Sequence, residues 1–248
     1  LKLAALVEYD GAGFHGWAAQ PGRRTVEGEM VGALQKILRH PVKLTVAGRT
    51  DAGVHASGQV VSFVSDGGMG PQEIAYRTTA VLPKDVAVRR CVAVPDTFDA
   101  RKDARNRSYE YRAVNSPVRP ALDRYYAAYI ARRLDFELLC RAAERLKGTH
   151  EFTAFTPTNS YHIRFERDVC ESRWERRGDT LTYSITADSF LYGMVRALVG
   201  TMFEVADGTR TMDSFAALLE RGERRRAGPS APAKGLTLVR VGYDDLGF

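Results

Sequence analysis

What most restricts the fold of this chain is an order of local patterns that occurs twice along it. Leu1–Tyr9 alternates as a strand does, and Asp10-Gly11-Ala12-Gly13 ends it. Thr25 is placed to cap a helix whose apolar positions Val26, Met30, Ala33, Leu34, Ile37 and Leu38 recur at helical spacing until Pro41 stops it. Val42–Ala47 and Gln59–Val64 read as strands, Pro71–Ala80 as a short helix and Val86–Val94 as a strand, which gives βαββαβ. Phe98–Arg105 is charged and aperiodic, so the domain crossing is placed there. The order then returns. Arg107–Asn115 is a strand, and Asp135 caps a helix with Phe136, Leu138, Leu139, Ala142, Ala143 and Leu146 inward, closed by Gly148. Arg164–Arg177 and Thr180–Ala187 form a hairpin through Gly178-Asp179. Ser189 caps the most apolar helix, Phe190 to about Ala206; a minor helix Phe215–Glu220 and a strand Leu236–Tyr243 complete the order.

The expected fold class is therefore α+β. Two ferredoxin-like, RRM-like βαββαβ halves, residues 1–104 and 105–248, present mainly antiparallel sheets on either side of a central RNA-binding cleft. This rests on element order, since no residue-level repeat links the halves. Four-stranded sheets of this kind serve as RNA platforms, and one fold carries many functions. The Tyr-rich segment Arg124–Ile130 has no place in the minimal unit; it either extends a sheet or stacks on bases.

Composition narrows the class of partner. The 248 residues carry a formal charge of +6, a modest excess that favours a polyanion. Three cysteines, Cys91, Cys140 and Cys170, are odd in number and widely spaced, which suits free thiols in a reducing, cytoplasmic setting better than disulfides or a metal site. No signal-peptide pattern opens the chain and no apolar run has bilayer length. Leu1 is not a methionine, which leaves room for a short leader.

The chemistry centres on Gly48-Arg49-Thr50-Asp51-Ala52-Gly53-Val54-His55-Ala56, a loop between two alternating runs. Its glycines permit unusual backbone conformations and close approach of a ligand. Asp51 is a lone carboxylate with cationic neighbours able to hold it ionised; the plainer reading is a turn cap. Gly11-Ala12-Gly13-Phe14-His15-Gly16 matches GxGxxG, but Trp17–Pro21 separates it from the helix that a dinucleotide fingerprint must open into. Asn106-Arg107-Ser108 matches a glycosylation acceptor with nothing to route it there. The five histidines offer no metal-ligand spacing, so no metal is expected.

In the second half, Tyr109 and Tyr111 share a strand face with Glu110 opposite. Tyr109 either packs in the core or presents its ring to a base. Arg196 lies within an apolar helix near Phe190, Met194, Ala197 and Leu198; it meets an anion, for which Asp51 is nominated, or snorkels to solvent. Arg221, Arg224, Arg225 and Arg226 either line a phosphate groove or form a solvated basic loop before the Pro- and Ala-rich approach to Leu236.

Taken in order, Tyr9-Asp10-Gly11 with Gly16-Trp17, the Gly48–Ala56 run with Gly58-Gln59-Val60, Phe98-Asp99-Ala100-Arg101, Tyr109-Glu110-Tyr111, Phe190-Leu191 with Met194-Val195-Arg196, and Gly235-Leu236 resemble the tRNA pseudouridine synthase A family. Ala18 and Gly193 depart from it, standing where glutamine and histidine are expected. The resemblance implies isomerisation of uridine to pseudouridine in the anticodon stem-loop of tRNA, at positions 38–40. It implies Asp51 as catalytic aspartate, Tyr109 against the target uracil, Arg196 paired with Asp51, Leu236 lining the pocket and Arg49 helping to displace the base. It also implies a homodimer embracing one tRNA, with no metal and no organic cofactor.

The reaction suits a single acid. Breaking the N-glycosidic bond, turning the uracil and rejoining it through carbon conserves every atom. The carboxylate attacks sugar or base, or takes a ribose proton, and the sequence leaves these open. Two rivals stand beside this reading. A non-catalytic RNA-binding protein would share the element order, but no clear RNP1 motif is present. An aspartate-dependent hydrolase usually gathers several acids round a metal, whereas this loop holds one.

Overall fold

The computed structural model describes residues 1–158, 160, 163–244 and 246, with the side chain of Arg221 also outside the description. Its strands and helices run β1 (Lys2–Tyr9), α1 (Val26–Leu38), β2 (Thr45–Val46), β3 (His55–Val64), α2 (Pro71–Val81), β4 (Val86–Ala93) and β5 (Asn106–Asn115). There follow β6 (Ala128–Ile130), α3 (Phe136–Glu144), β7 (Gly148–Glu151), β8 (Glu166–Arg177) and β9 (Thr180–Ala187). The chain ends with α4 (Met194–Ala206), α5 (Met212–Ala216), α6 (Leu218–Arg221) and β10 (Leu236–Gly242). The result is a mixed α+β protein with mostly antiparallel strand pairing.

The chain divides into two compact units, Leu1–Arg105 with the residues from Thr237 on, and Asn106–Leu236. In the first, β1 lies between β4 and β3, antiparallel to both, and β2 adds antiparallel to the far side of β3. β10 pairs parallel with the start of β3, Thr237 opposite His55 and Leu238 opposite Ala56. Thr25 caps α1 by accepting the Gly28 N–H, and the helix buries Val26, Met30, Ala33, Leu34 and Leu38. That stripe matches the periodicity of the sequence, with Ile37 at its half-buried margin.

The strand expected over Val42–Ala47 shrinks to Thr45–Val46. Val42 and Leu44 are buried all the same. Packing them needs no ladder, so an apolar alternation here reports burial and not pairing.

In the second unit β9 lies between β5 and β8, antiparallel to each, and β7 pairs with the outer side of β8. The hairpin turns at Gly178-Asp179 as the sequence indicates, Arg177 facing Thr180. The Tyr-rich segment supplies β6, parallel to β5, so it extends the sheet while Tyr125 and Tyr126 stay exposed. Asp135 caps α3 through the N–H groups of Glu137 and Leu138.

The most apolar helix begins later than Ser189 and Phe190. Its first residue is Met194, after Gly193 at φ +69°. Ahead of that break, Phe190 meets the Tyr109 ring edge-on at 5.0 Å. The remainder of α4 is buried on nearly every side, which is why its sequence is apolar all round.

Candidate active site

Asp51 lies in the first unit, in the loop between β2 and β3, and is half-buried between exposed Arg49 and exposed Ala52. The loop is fixed from both flanks. Ahead of Asp51, the Trp17 N–H donates to Thr50 O at 3.0 Å and Gln59 Nε2 donates to Gly48 O at 2.7 Å. Behind it, the Val54 N–H closes a turn on Asp51 O at 3.1 Å and the Gly53 N–H donates to Phe14 O at 3.3 Å. Gly53 has φ +78° at the third place of that turn, the left-handed position that glycine fills without strain.

The glycines rejected as a dinucleotide fingerprint have another use. A Cβ on Gly11 would stand 2.0 Å from Val54 O, and one on Gly16 would stand 2.9 Å from Thr50 O. The turn after β1 therefore lies directly against the backbone of the Asp51 loop. The Gly11 N–H donates to Nδ1 of buried His55 at 3.0 Å, tying that turn to the start of β3. Asp10 Oδ1 is 3.1 Å from the same Nδ1.

The other expected site residues belong to the second unit. Tyr109 is buried on β5, on the face it shares with Arg107 and Tyr111. Arg196 is half-buried on α4 and does not simply trail into solvent: its Nε donates to Ala231 O at 2.8 Å, and the Ala231 N–H returns a bond to Arg196 O at 2.9 Å. Tyr111 reaches the next residue, donating to Pro232 O at 3.0 Å. Burial pushes the Tyr111 phenol up, and the Arg196 charge opposes that shift. Buried Leu236 follows Gly235, whose Cβ would lie 2.7 Å from both Tyr111 Cζ and Arg112 O. Arg196, Tyr111 and the Ala231–Leu236 segment thus form one packed group within this unit.

Two arginines of the basic run, Arg224 and Arg225, are tied to their own loop. Arg224 donates to Gly228 O and Ser230 Oγ, and Arg225 pairs with Glu223.

The family model described as tRNA pseudouridine synthase matches residues 5–101 and 142–244 of this sequence. The chain belongs to the tRNA pseudouridine synthase family. Among its relatives, the tRNA pseudouridine synthase A of Acetivibrio thermocellus is 37% identical over 242 residues, 98% of this chain and 99% of the relative. That of Gloeobacter violaceus is 40% identical over 250 residues, 100% of this chain and 82% of the relative. That of Stenotrophomonas maltophilia is 37% identical over 246 residues, 99% of this chain and 96% of the relative.

Within the tRNA pseudouridine synthase match, Arg49 and Asp51 fall in the first segment and Arg196 and Leu236 in the second, while Tyr109 lies between the two. Among the described residues no three or more His, Cys, Asp or Glu side chains are grouped so as to hold a metal ion, and no helix is long and apolar enough to cross a membrane. Two features, one in each unit, escape a reading of sequence. Arg107, one strand repeat before Tyr109, is buried and donates through Nη1 to Asp188 O at 2.9 Å, holding the approach to Phe190. Gln59, a buried amide in an apolar strand, reaches back to Gly48; its polarity amid Val60 and Val61 is the one signal that marks it.

Proposed function

We propose that this chain isomerises uridine to pseudouridine at positions 38–40 of the anticodon stem-loop of tRNA, with Asp51 as the catalytic carboxylate. Membership of the family makes it a tRNA uridine isomerase. The observation that carries the assignment to Asp51 is a half-buried acid on a loop whose backbone is hydrogen-bonded on both flanks. Such a group is held in position without being withdrawn from a substrate.

On this reading Arg196 pairs with Asp51 and keeps it charged in a pocket where a lone carboxylate would protonate. Tyr109 packs against the detached uracil, Leu236 lines the pocket, and Arg49 helps displace the base from its stack. Extruding a stacked nucleotide costs on the order of a few kcal/mol, which contacts to the RNA backbone offset. The protein works as a homodimer around one tRNA, in the cytoplasm, with neither metal nor organic cofactor.

The functional division follows the two α+β domains, 1–104 with the Asp51 loop and 105–248 with Tyr109, Arg196 and Leu236. A ferredoxin-like arrangement of each half is supported by the spatial order β4-β1-β3-β2 in the first, antiparallel throughout, and by β5-β9-β8 in the second.

Rejoining uracil through C5 releases the hydrogen carried there while N1, freed from the sugar, takes up a proton from solvent, so tritium release from C5-labelled uridine in unmodified tRNA measures the reaction. Asp51→Ala is expected to lower the rate at least about 10³-fold, as loss of a reacting group does, while tRNA affinity changes by less than about threefold. Retained activity removes Asp51 from the chemistry. Loss of affinity in parallel with activity assigns it to the scaffold. Site-resolved mapping of the product tests the choice of positions.

A further inference from the structure

We infer that Tyr9 is a positioning residue for catalysis, holding the Asp51 loop through Thr50 with Gln59 behind it. The inference rests on Asp51 being the catalytic carboxylate and adds the parts that aim it.

Tyr9 ends β1 and is buried, its ring 5.8 Å from that of buried Trp17. Its hydroxyl is 2.7 Å from Thr50 Oγ1, and Gln59 Nε2 donates to it at 3.3 Å. The directions of these bonds follow from chemistry. Gly48 O can only accept, so the Gln59 atom facing it at 2.7 Å is the amide nitrogen. That nitrogen can only donate, so the phenol oxygen accepts from it and the phenol proton is available to Thr50 Oγ1. A chain of donors runs Gln59 to Tyr9 to Thr50, joining β3, β1 and the loop.

The position of this chain gives it a catalytic consequence. Gly48 and Thr50 are anchored inward, and Arg49 between them is exposed. Thr50 is held twice, by its hydroxyl from Tyr9 and by its carbonyl from the Trp17 N–H. With Thr50 drawn inward, the backbone that carries Asp51 cannot rotate freely to re-aim the carboxylate. Small misplacements of a reacting group cost about 10²-fold in rate, so a residue that never touches RNA acts on the chemical step. Burial pushes the Tyr9 phenol up to about 12, so it remains a protonated donor at any pH at which tRNA is assayed. Tyr9 therefore contributes geometry and no proton transfer.

The test uses single-turnover pseudouridine formation on unmodified tRNA, with tRNA affinity and thermal stability measured in parallel. Tyr9→Phe, which removes one oxygen, and Thr50→Val are each expected to lower the single-turnover rate about 10- to 100-fold, with affinity within about twofold. Thr50→Ser restores most of what Thr50→Val loses. The Tyr9→Phe/Thr50→Val double variant is no slower than the slower single one, because both cut the same link. The pH–rate profile of Tyr9→Phe keeps the wild-type shape. A wild-type rate in Tyr9→Phe, multiplicative losses in the double variant, a displaced pH profile, or a fall in melting temperature with the rate unchanged would each overturn the inference. If Tyr9→Phe does not fold, the Thr50→Val and Thr50→Ser pair decides: a wild-type rate in Thr50→Val, or no rescue by serine, refutes it. Asp51→Ala run alongside separates the two levels. An active Asp51→Ala defeats the assignment of Asp51, whereas an inactive Asp51→Ala beside a fully active Tyr9→Phe defeats the role of Tyr9 alone.

Discussion

At the scale of the residue, the GxGxxG run shows how the same letters serve different physics. Its glycines differ in what a methyl group would meet. On Gly11 the new carbon would stand 2.0 Å from Val54 O, a backbone atom with nowhere to go, whereas on Gly13 it would stand 3.0 Å from the flexible end of Arg24. Gly11→Ala is therefore expected to destabilise the protein by about 3 kcal/mol, the upper part of the range for overpacking a fixed core. That corresponds to a fall in melting temperature of about 6–12 °C for a chain of this size. Gly13→Ala should stay within about 1 kcal/mol of wild type. Equal melting temperatures for the two variants would show that the turn does not bear on the Asp51 loop. The sequence allowed the dinucleotide reading to be dismissed, because that depends on the spacing to the next helix. It could not supply the positive reason, because Val54 lies far along the chain and the close approach exists only once β1 and β3 are paired. The Gln59–Tyr9–Thr50 chain was illegible for the same reason. Asp51, Tyr109 and Arg196 could be singled out from local pattern, with a plainer reading beside each, whereas the roles expected of Arg49 and Leu236 came from the family resemblance alone.

At the scale of the element, helices declared themselves by periodicity and caps, as Thr25 and Asp135 demonstrate, and failed where tertiary packing competed. The start of α4 lies past Phe190, after Gly193 in the left-handed region, where a right-handed helix cannot continue, and Phe190 packs edge-on against Tyr109 instead. The long segment between Phe14 and α1 has no regular structure, and Arg24 is one of the residues that hold it. That guanidinium lies 4.1 Å over the Phe14 ring and binds Asp85 through two 2.8 Å bonds, just before β4. Phe14 in turn accepts the Gly53 N–H, so the ion pair braces the far side of the Asp51 loop. Hydrogen bonding from Arg24 holds the Asp85 carboxyl below its usual range. A carboxylate whose folded pKa is depressed contributes stability above its unfolded pKa, about 3.9, and loses it as pH falls through the folded value. Asp85→Asn is accordingly expected to cost about 1 kcal/mol at pH 7, a figure already reduced for partial exposure of both partners. The gap between wild type and variant should close below about pH 4. Melts across that window check it, and a gap that persists unchanged at low pH assigns the loss to something other than the ion pair.

At the scale of the whole molecule, element order gave the α+β class, but order does not say which unit a terminal strand joins. β10 pairs with β3 beside His55 and Ala56, and the residues from Thr237 on belong with the first unit, which the chain leaves after Arg105. The strand that leads out of the Asp51 loop is thus completed by the last part of the sequence, a long-range pairing with no local signature. Charge is the other property that belongs to the molecule as a whole. A formal +6 is small against the 36 basic residues that produce it, because 30 acidic residues offset them. Affinity for tRNA must then come from basic side chains placed along the RNA backbone and not from bulk attraction, and each phosphate neutralised releases counterions. Affinity is expected to weaken at least about tenfold between about 50 and 200 mM monovalent salt, as a handful of phosphate contacts requires. If the proposed assignment of Asp51 holds, the single-turnover rate at saturating protein should change by less than about twofold, since a half-buried carboxylate acting at short range is screened far less than surface charge. Measuring both across the same salt series separates binding from chemistry. An affinity indifferent to salt would mean that recognition runs through bases and shape, and a rate that falls in step with affinity would place the reacting acid in open solvent.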